Sequence, residues 1–408
     1  MLNNLKTTKP FIFDIICGVI TAVLFSAFIY LEYLGISIKF INTIFGLLAL
    51  GGFLYISKRA LLIAGFFIGP LWFYWVGYSF EYNGIGWVGP IVTFIFGFIY
   101  AAFFGVMALT NKVYIRAILL FALSFFEPMD WNWLQVELVF IESYIGVYKY
   151  QLAIVLTALA LPKYINNRYK FTPLLLILLA FNFSYPVQKD APLKIKLVAT
   201  DIKQEDKWKP SEQAPTVMMI YKEIYNAIKM DYDLIIFPES VFPLFMNQSP
   251  ALISQLTNLS KRITIVAGSL LREDGNNYNV TYMFNDGKYQ IAKKLVLVPF
   301  GEYIPLPKFA KKIINDTFFA GASDFKTAKK PTDFTIKSTK FRNAICYEAT
   351  CKEIYEGDVD FVIASSNNAW FAPSIEPTIQ NLLMRYYARK NGVTIYHSAN
   401  YKGTGIVK

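Results

Sequence analysis

Residues 10–33 read PFIFDIICGVITAVLFSAFIYLEY. Charge in this run is confined to Asp14 and Glu32 near its ends, and a helix needs about 20 such residues to cross the hydrocarbon of a bilayer. The run is longer than the apolar core of a cleavable signal peptide, about 7–15 residues, and more apolar runs follow it, so it reads as a retained anchor. Outward from it the pattern recurs at 38–56, 60–80, 85–109, 113–126, 150–161 and 172–184, which gives seven expected spans. Between the fifth and sixth, residues 127–149 mix Trp131, Trp133, Glu137 and Glu142 with apolar positions and read as an interfacial or re-entrant segment. Aromatic clusters such as residues 71–75, LWFYW, fit a membrane-interface belt or the mouth of a lipid pocket.

If every span crosses, Lys6 and Lys9, Lys58 and Arg59, Lys112 and Arg116, and Lys163, Arg168 and Lys170 share one side. The opposite loops carry Glu32, Glu81, Glu127, Asp130, Glu137 and Glu142. The positive-inside rule then makes the N-terminus cytoplasmic, and an odd number of crossings puts the chain beyond residue 184 on the outer side. The net charge of +11 is accounted for by these short basic loops and by anionic lipid headgroups, so the expected partner is a lipid bilayer and no nucleic acid.

Composition separates two solvents. The chain is 55% hydrophobic and 17% charged, but the apolar runs stop at residue 184 and the remainder has the charge density of a soluble fold. We expect a transmembrane helical domain at 1–189 and a second domain at 190–408. Three cysteines, Cys17, Cys346 and Cys351, cannot form a disulfide framework, and a single histidine, His397, removes most zinc sites and histidine relays. No metal and no cofactor is expected.

In the second domain the pattern turns to short β-rich runs: KIKLVATDI (194–202), DLIIFPE (233–239), ITIVAGSLL (263–271), KLVLVP (294–299), NAICYE (343–348), DFVIASSN (360–367) and VTIYHSAN (393–400). Residues 213–230 and 376–391 have helical periodicity, and Asn276–Asn277, Asp286–Gly287 and Lys402–Gly403 look like turns. This is α/β punctuation, with amphipathic helices laid on sheet.

Cys346 closes one of these runs, the place where α/β domains expose reactive groups. A free cysteine is as often a small buried hydrophobe, and a nucleophilic thiol needs a base for its proton or a cation for its thiolate. A pairing of Cys346 with His397 is one option; a lone histidine on a strand is more often structural. The other option uses two charged groups at strand ends, Glu239 in LIIFPES and Lys294 in KKLVLVPFGEYIP. A poorly solvated glutamate serves as general base, and a lysine stabilises a developing oxyanion. Each also has a bland reading, Glu239 as a salt-bridge partner and Lys294 as half of a solvated basic pair with Lys293. Cys351 reads as packing.

The combination of FPES at 237–240, a lysine at 294 followed by PFGEYIP at 299–305, CYE at 346–348 and SNNAWF at 366–371 resembles the nitrilase superfamily in order and spacing. With a polytopic region in front, it is similar to the apolipoprotein N-acyltransferase family over nearly the whole chain. The resemblance implies an αββα sandwich domain, with Cys346 as nucleophile, Glu239 as general base and Lys294 as oxyanion stabiliser. It also marks Glu302, Tyr347 and Glu348 as supporting positions and Trp208, in QEDKW, as a tryptophan on a mobile loop near the site.

The chemistry so implied is acyl transfer from a phospholipid through a cysteine thioester to the N-terminal amine of a diacylated apolipoprotein, in a bacterial inner membrane with the catalytic domain facing the periplasm. A membrane-tethered amidase or other nitrilase-type hydrolase, and a transporter or lipid-binding receptor, are the competing readings. Family members usually continue past the region of residues 403–405, so the C-terminal end looks shortened.

Overall fold

In this computed structural model the described residues are 2–128, 131–299, 301–303 and 325–408; the side chains of residues 2–9 and 83 are outside that description. Asp130 of the acidic loops, and Phe300, Ile304 and Pro305 of the expected PFGEYIP motif, lie outside the described residues. The chain divides into two compact units, residues 1–185 with 374–382, and residues 186–373 with 383–408.

The first unit is helical: α1 (Leu2–Tyr33), α2 (Lys39–Tyr55), α3 (Lys58–Phe73), α4 (Gly89–Gly105), α5 (Val113–Leu123) and α6 (Lys149–Ala160). Among the described residues, three helical stretches are long and apolar enough to cross a membrane, Pro10–Tyr33, Lys58–Tyr82 and Gly86–Leu109. The expected spans at 38–56, 113–126 and 150–161 fall on the shorter α2, α5 and α6, and 172–184 falls on a 3₁₀ helix, Thr172–Ala180. Small residues let the helices approach. A side chain at Gly69 would meet the carbonyl of Phe96 at 2.4 Å, and one at Gly65 that of Tyr100 at 2.5 Å, so α3 and α4 touch backbone to backbone.

Several polar groups in this unit find partners. Ser57 caps α3 by accepting from the Ala60 N–H and donates to Asp14, the charge inside the first apolar run. Buried Arg116 donates to the carbonyls of Leu54 and Ile56, the orphaned acceptors at the end of α2. Residues 131–148 have little regular structure, yet residues 132–141 are buried within the unit, and Glu137 pairs with Lys149 at 2.7 Å. Irregular backbone is tolerated in such a unit where protein covers it.

The second unit holds two five-stranded mixed sheets. The first has the order β1-β2-β3-β4-β5, with β1 Ile195–Leu197, β2 Leu234–Ile236, β3 Thr264–Glu273, β4 Asn276–Asn285 and β5 Lys288–Lys293. The second runs β10-β9-β8-β7-β6, with β6 Asp333–Ile336, β7 Thr339–Ile345, β8 Phe361–Asn367, β9 Thr394–Asn400 and β10 Gly405–Val407. Period-two alternation sorts the side chains of the first sheet. Ile235, Ile265 and Ala267 pack under α7 (Pro210–Lys229) and α8 (Pro250–Leu259), while Leu234, Ile236 and Val266 pack against Phe334, Phe341, Ile363 and Tyr396 of the second sheet. Helix α9, Glu376–Asn391, follows β8, and its Tyr387 stacks on Tyr355 at 5.0 Å.

Two details differ from the sequence expectation. The turn lies at Asp274–Gly275 instead of Asn276–Asn277, because Asp274 and Gly275 take the two left-handed conformations (φ +50° and +74°) that a two-residue hairpin turn needs. Asp286–Gly287 repeats the device, so β3, β4 and β5 form a meander. Residues 294–299, expected as a strand, leave the sheet. The ladder ends where the Lys294 N–H reaches the Asn279 carbonyl, and the N–H groups of Leu295 and Val296 turn to the Glu348 carboxylate.

Candidate active site

The parallel strands β2, β7 and β8, with β5 aligned to β2 through the meander, end on one side of the sandwich. Beyond those ends stand Glu239 after β2, Lys294 after β5 and Cys346 after β7. Two of the turns are strained: Ser240, next to Glu239, has φ +46°, and Cys346 itself has φ +55°. A non-glycine residue in the left-handed region costs about 1–3 kcal/mol, and here it lifts the thiol out of the strand line into a partly exposed position.

Glu239 and Lys294 are both buried, and the Lys294 ammonium lies 3.9 Å from Glu239 Oε1. Glu302 holds the same ammonium with both oxygens, at 2.9 and 2.7 Å, and is itself held by the N–H of Val298 at 2.9 Å. Burial works against the charge on Lys294, but Glu302, Glu239 and the Cys346 sulfur outweigh it and keep the ammonium protonated well above the ordinary lysine range. The structure therefore brings Glu239, Lys294, Glu302 and Cys346 into one electrostatic cluster.

Glu348 does something other than face the pocket. It is buried and accepts from the N–H groups of Leu295, Val296 and Ile345, tying the strand that delivers Cys346 to the segment that delivers Lys294. Burial pushes its carboxyl up to about 7, against the pull of Lys294 and of those N–H groups. Tyr347 is buried, and its carbonyl accepts from Thr350 Oγ1 and from the Cys351 thiol. Cys351 is free and buried, with its thiol pushed well up by burial. Trp208 stands apart: its side chain is 43% exposed and has no hydrogen bond or ring contact among the described residues.

His397 is fully buried, with Nδ1 on the Gly403 carbonyl and Nε2 on Ser366 Oγ, each at 2.8 Å. Both ring nitrogens are thus taken by structural partners. Burial lowers its pKa to about 4, against the Gly403 hydrogen bond. Among the described residues no cluster of three or more His, Cys, Asp or Glu side chains suits a metal.

Three contributors were not singled out from sequence. Asn279 on β4 donates to Glu239 Oε1 at 2.7 Å and to Glu302 Oε1 at 3.2 Å, joining the two carboxylates. Gly268 on β3 underlies Glu239, for a Cβ there would stand 2.3 Å from the Ser240 nitrogen and 2.7 Å from the Glu239 Cα. Lys207, a buried lysine beside Trp208, donates to the Glu239 carbonyl at 3.0 Å. Only the last left any trace in the sequence, in the quoted QEDKW; an asparagine and a glycine inside strands carry no such signal.

Comparison with known proteins gives the family of both units. Residues 12–183 match the apolipoprotein N-acyltransferase integral membrane domain, and residues 197–403 match the carbon-nitrogen hydrolase family. An apolipoprotein N-acyltransferase from Wolinella succinogenes is 39% identical, over 95% of this chain and 94% of its own length. Those from Helicobacter hepaticus and Campylobacter jejuni are 35% and 33% identical, over 90% and 97% of this chain and 93% and 90% of their own lengths. With a matching membrane domain, a matching catalytic domain and relatives aligned almost end to end, this chain belongs to the apolipoprotein N-acyltransferase family.

Proposed function

We propose that this protein is a membrane-embedded N-acyltransferase that moves a fatty acyl chain from a phospholipid, through a thioester on Cys346, to the N-terminal amine of a diacylglyceryl-cysteine apolipoprotein. The observation that carries the reading is the cluster in which Glu239 and Lys294, 3.9 Å apart, share an electrostatic field with the partly exposed Cys346 at strand ends.

In the first step Glu239 takes the thiol proton and the sulfur attacks the ester carbonyl of the donor. Negative charge develops on the carbonyl oxygen beside the Lys294 ammonium, which Glu302 and Asn279 keep in place. The ester C–O bond breaks, the lysophospholipid hydroxyl leaves with the proton from Glu239, and the acyl group remains as thioester. In the second step the amine attacks the thioester, Glu239 takes the ammonium proton, and the carbon–sulfur bond breaks to give the amide, the departing Cys346 thiolate taking that proton back from Glu239. Glu302 and Glu348 act on this chemistry through Lys294 and the Cys346 turn.

Both substrates are lipids. Exposing acyl chains to water costs about 0.8 kcal/mol per CH₂, so an enzyme carried on membrane helices meets them where they already reside. The basic residues of alternate loops support a catalytic unit on the periplasmic face of a bacterial inner membrane.

Purified protein incubated with labelled phospholipid and a diacylated lipopeptide should give an acyl adduct on the Cys346 peptide and a triacylated product, both read by mass spectrometry. Cys346→Ala should abolish both. Release of free fatty acid without triacylated product would instead make the protein a hydrolase.

A further inference from the structure

Among the described residues the site contains two buried ammonium groups, and they are not equivalent. Lys294 is engaged by both oxygens of Glu302 and has Glu239 at 3.9 Å, so carboxylates already match its charge. Lys207 is as deeply buried, yet its near partners are neutral: the Glu239 carbonyl at 3.0 Å and the Asn367 amide at 3.2 Å. Among the described residues no carboxylate stands within ion-pairing distance of it. A buried cation without an anion in contact is costly, and such a charge is retained where an anion forms nearby.

Against the burial that disfavours its charge, the Glu239 carboxylate after β2 and the Cys346 sulfur after β7 act electrostatically to favour it. Before activation the cluster holds Lys207 and Lys294 against Glu239 and Glu302. Once Glu239 has accepted the thiol proton it is neutral, and the Cys346 thiolate replaces it as the second anion. Without Lys207 the cluster would carry an uncompensated negative charge in a poorly solvated pocket in either state, and in the activated state the sulfur would bear it. The position of Lys207 is fixed from behind. Asn400 on β9 clamps the preceding turn, accepting from the Ile202 N–H and Thr200 Oγ1 and donating to the Ile202 carbonyl.

Resting on the acyltransferase reading, we infer that Lys207 is a positioning residue whose ammonium supplies the uncommitted positive charge that stabilises the Cys346 thiolate, Lys294 being committed to Glu302 and to the oxyanion. Burial lowers the Lys207 pKa to about 8, partly offset by Glu239 and Cys346, which keeps it protonated at neutral pH.

The test reads the thiol itself. Full-length protein in detergent, without lipid substrate, is alkylated with iodoacetamide across pH 5–10, and modification of the Cys346 peptide is followed by mass spectrometry beside the thermal midpoint of each variant. Lys207→Gln keeps a donor toward the Glu239 carbonyl but removes the charge. It should raise the midpoint of the alkylation profile by about one pH unit or more, and lower the rate at pH 7 by about tenfold. Lys207→Arg should restore the wild-type midpoint. An unshifted profile in Lys207→Gln, or an equal shift in the Gln and Arg variants, would overturn the inference by showing that packing, not charge, is what Lys207 supplies. A wild type whose Cys346 alkylates readily but which makes no triacylated product would overturn the acyltransferase reading instead.

Discussion

Glu239 owes its position to a residue with no side chain. Gly268 on the neighbouring strand lets the turn at Glu239 and Ser240 lie against β3, with the Phe242 N–H bonded to the Gly268 carbonyl at 3.1 Å. An added methyl would meet backbone atoms that have no free rotor to move aside. Gly268→Ala should therefore displace the base, lower acyl transfer at least tenfold and cost about 1–3 kcal/mol of stability, measured by turnover and by thermal unfolding. Glu302 shows what sequence supplied at this scale. Its neighbourhood in the PFGEYIP motif marks it as a supporting position, and its two oxygens hold the Lys294 ammonium. Glu348, marked in the sequence only as a supporting position beside Cys346, holds backbone N–H groups. Its partners Leu295 and Val296 lie about fifty positions earlier, and nothing local connects them.

At the scale of elements, periodicity announced the helices Pro210–Lys229 and Glu376–Asn391 and most strands, because amphipathic spacing is a local property. It missed the Asp274–Gly275 turn and so the strand Asn276–Asn285, where polar residues flank an apolar centre and mask the alternation. It extended a strand through 294–299, since LVLV has high β propensity; an acceptor from another sheet overrules that propensity. In the membrane unit the decisive contact is between α3 and α4. Gly69→Val would force a side chain into the Phe96 carbonyl, and the helices must separate. The unfolding midpoint of the protein in detergent should fall, by an amount worth about 1–3 kcal/mol, while Gly51→Ala, with open space around its Cβ position, should leave it unchanged.

Across the whole molecule, stability and acidity are linked through the single histidine. The His397 imidazole is neutral in the folded protein, with its pKa near 4 against an ordinary 6.5. Between those values the unfolded chain binds the additional proton, so stability is lost as pH falls from about 6.5 toward 4, by up to on the order of 3 kcal/mol. His397→Gln should have a lower thermal midpoint than wild type at pH 7. The gap should narrow at pH 5 and narrow further at pH 4; a constant gap would show that the imidazole does not titrate on unfolding.

The sequence by itself determined that the first part of the chain is membrane-spanning helix and the second part α/β, and it set out a short roster of groups able to do chemistry. Both follow from local properties: the length of an apolar run, the period of its alternation, and the scarcity of histidine and cysteine. Only the tertiary structure decided how those groups divide the work. Lys294 is paired with Glu302, Lys207 has no carboxylate within ion-pairing distance among the described residues, and Glu348 accepts from three backbone N–H groups. Which charge is matched and which is free depends on distances across two sheets, and a linear order of residues does not contain those distances.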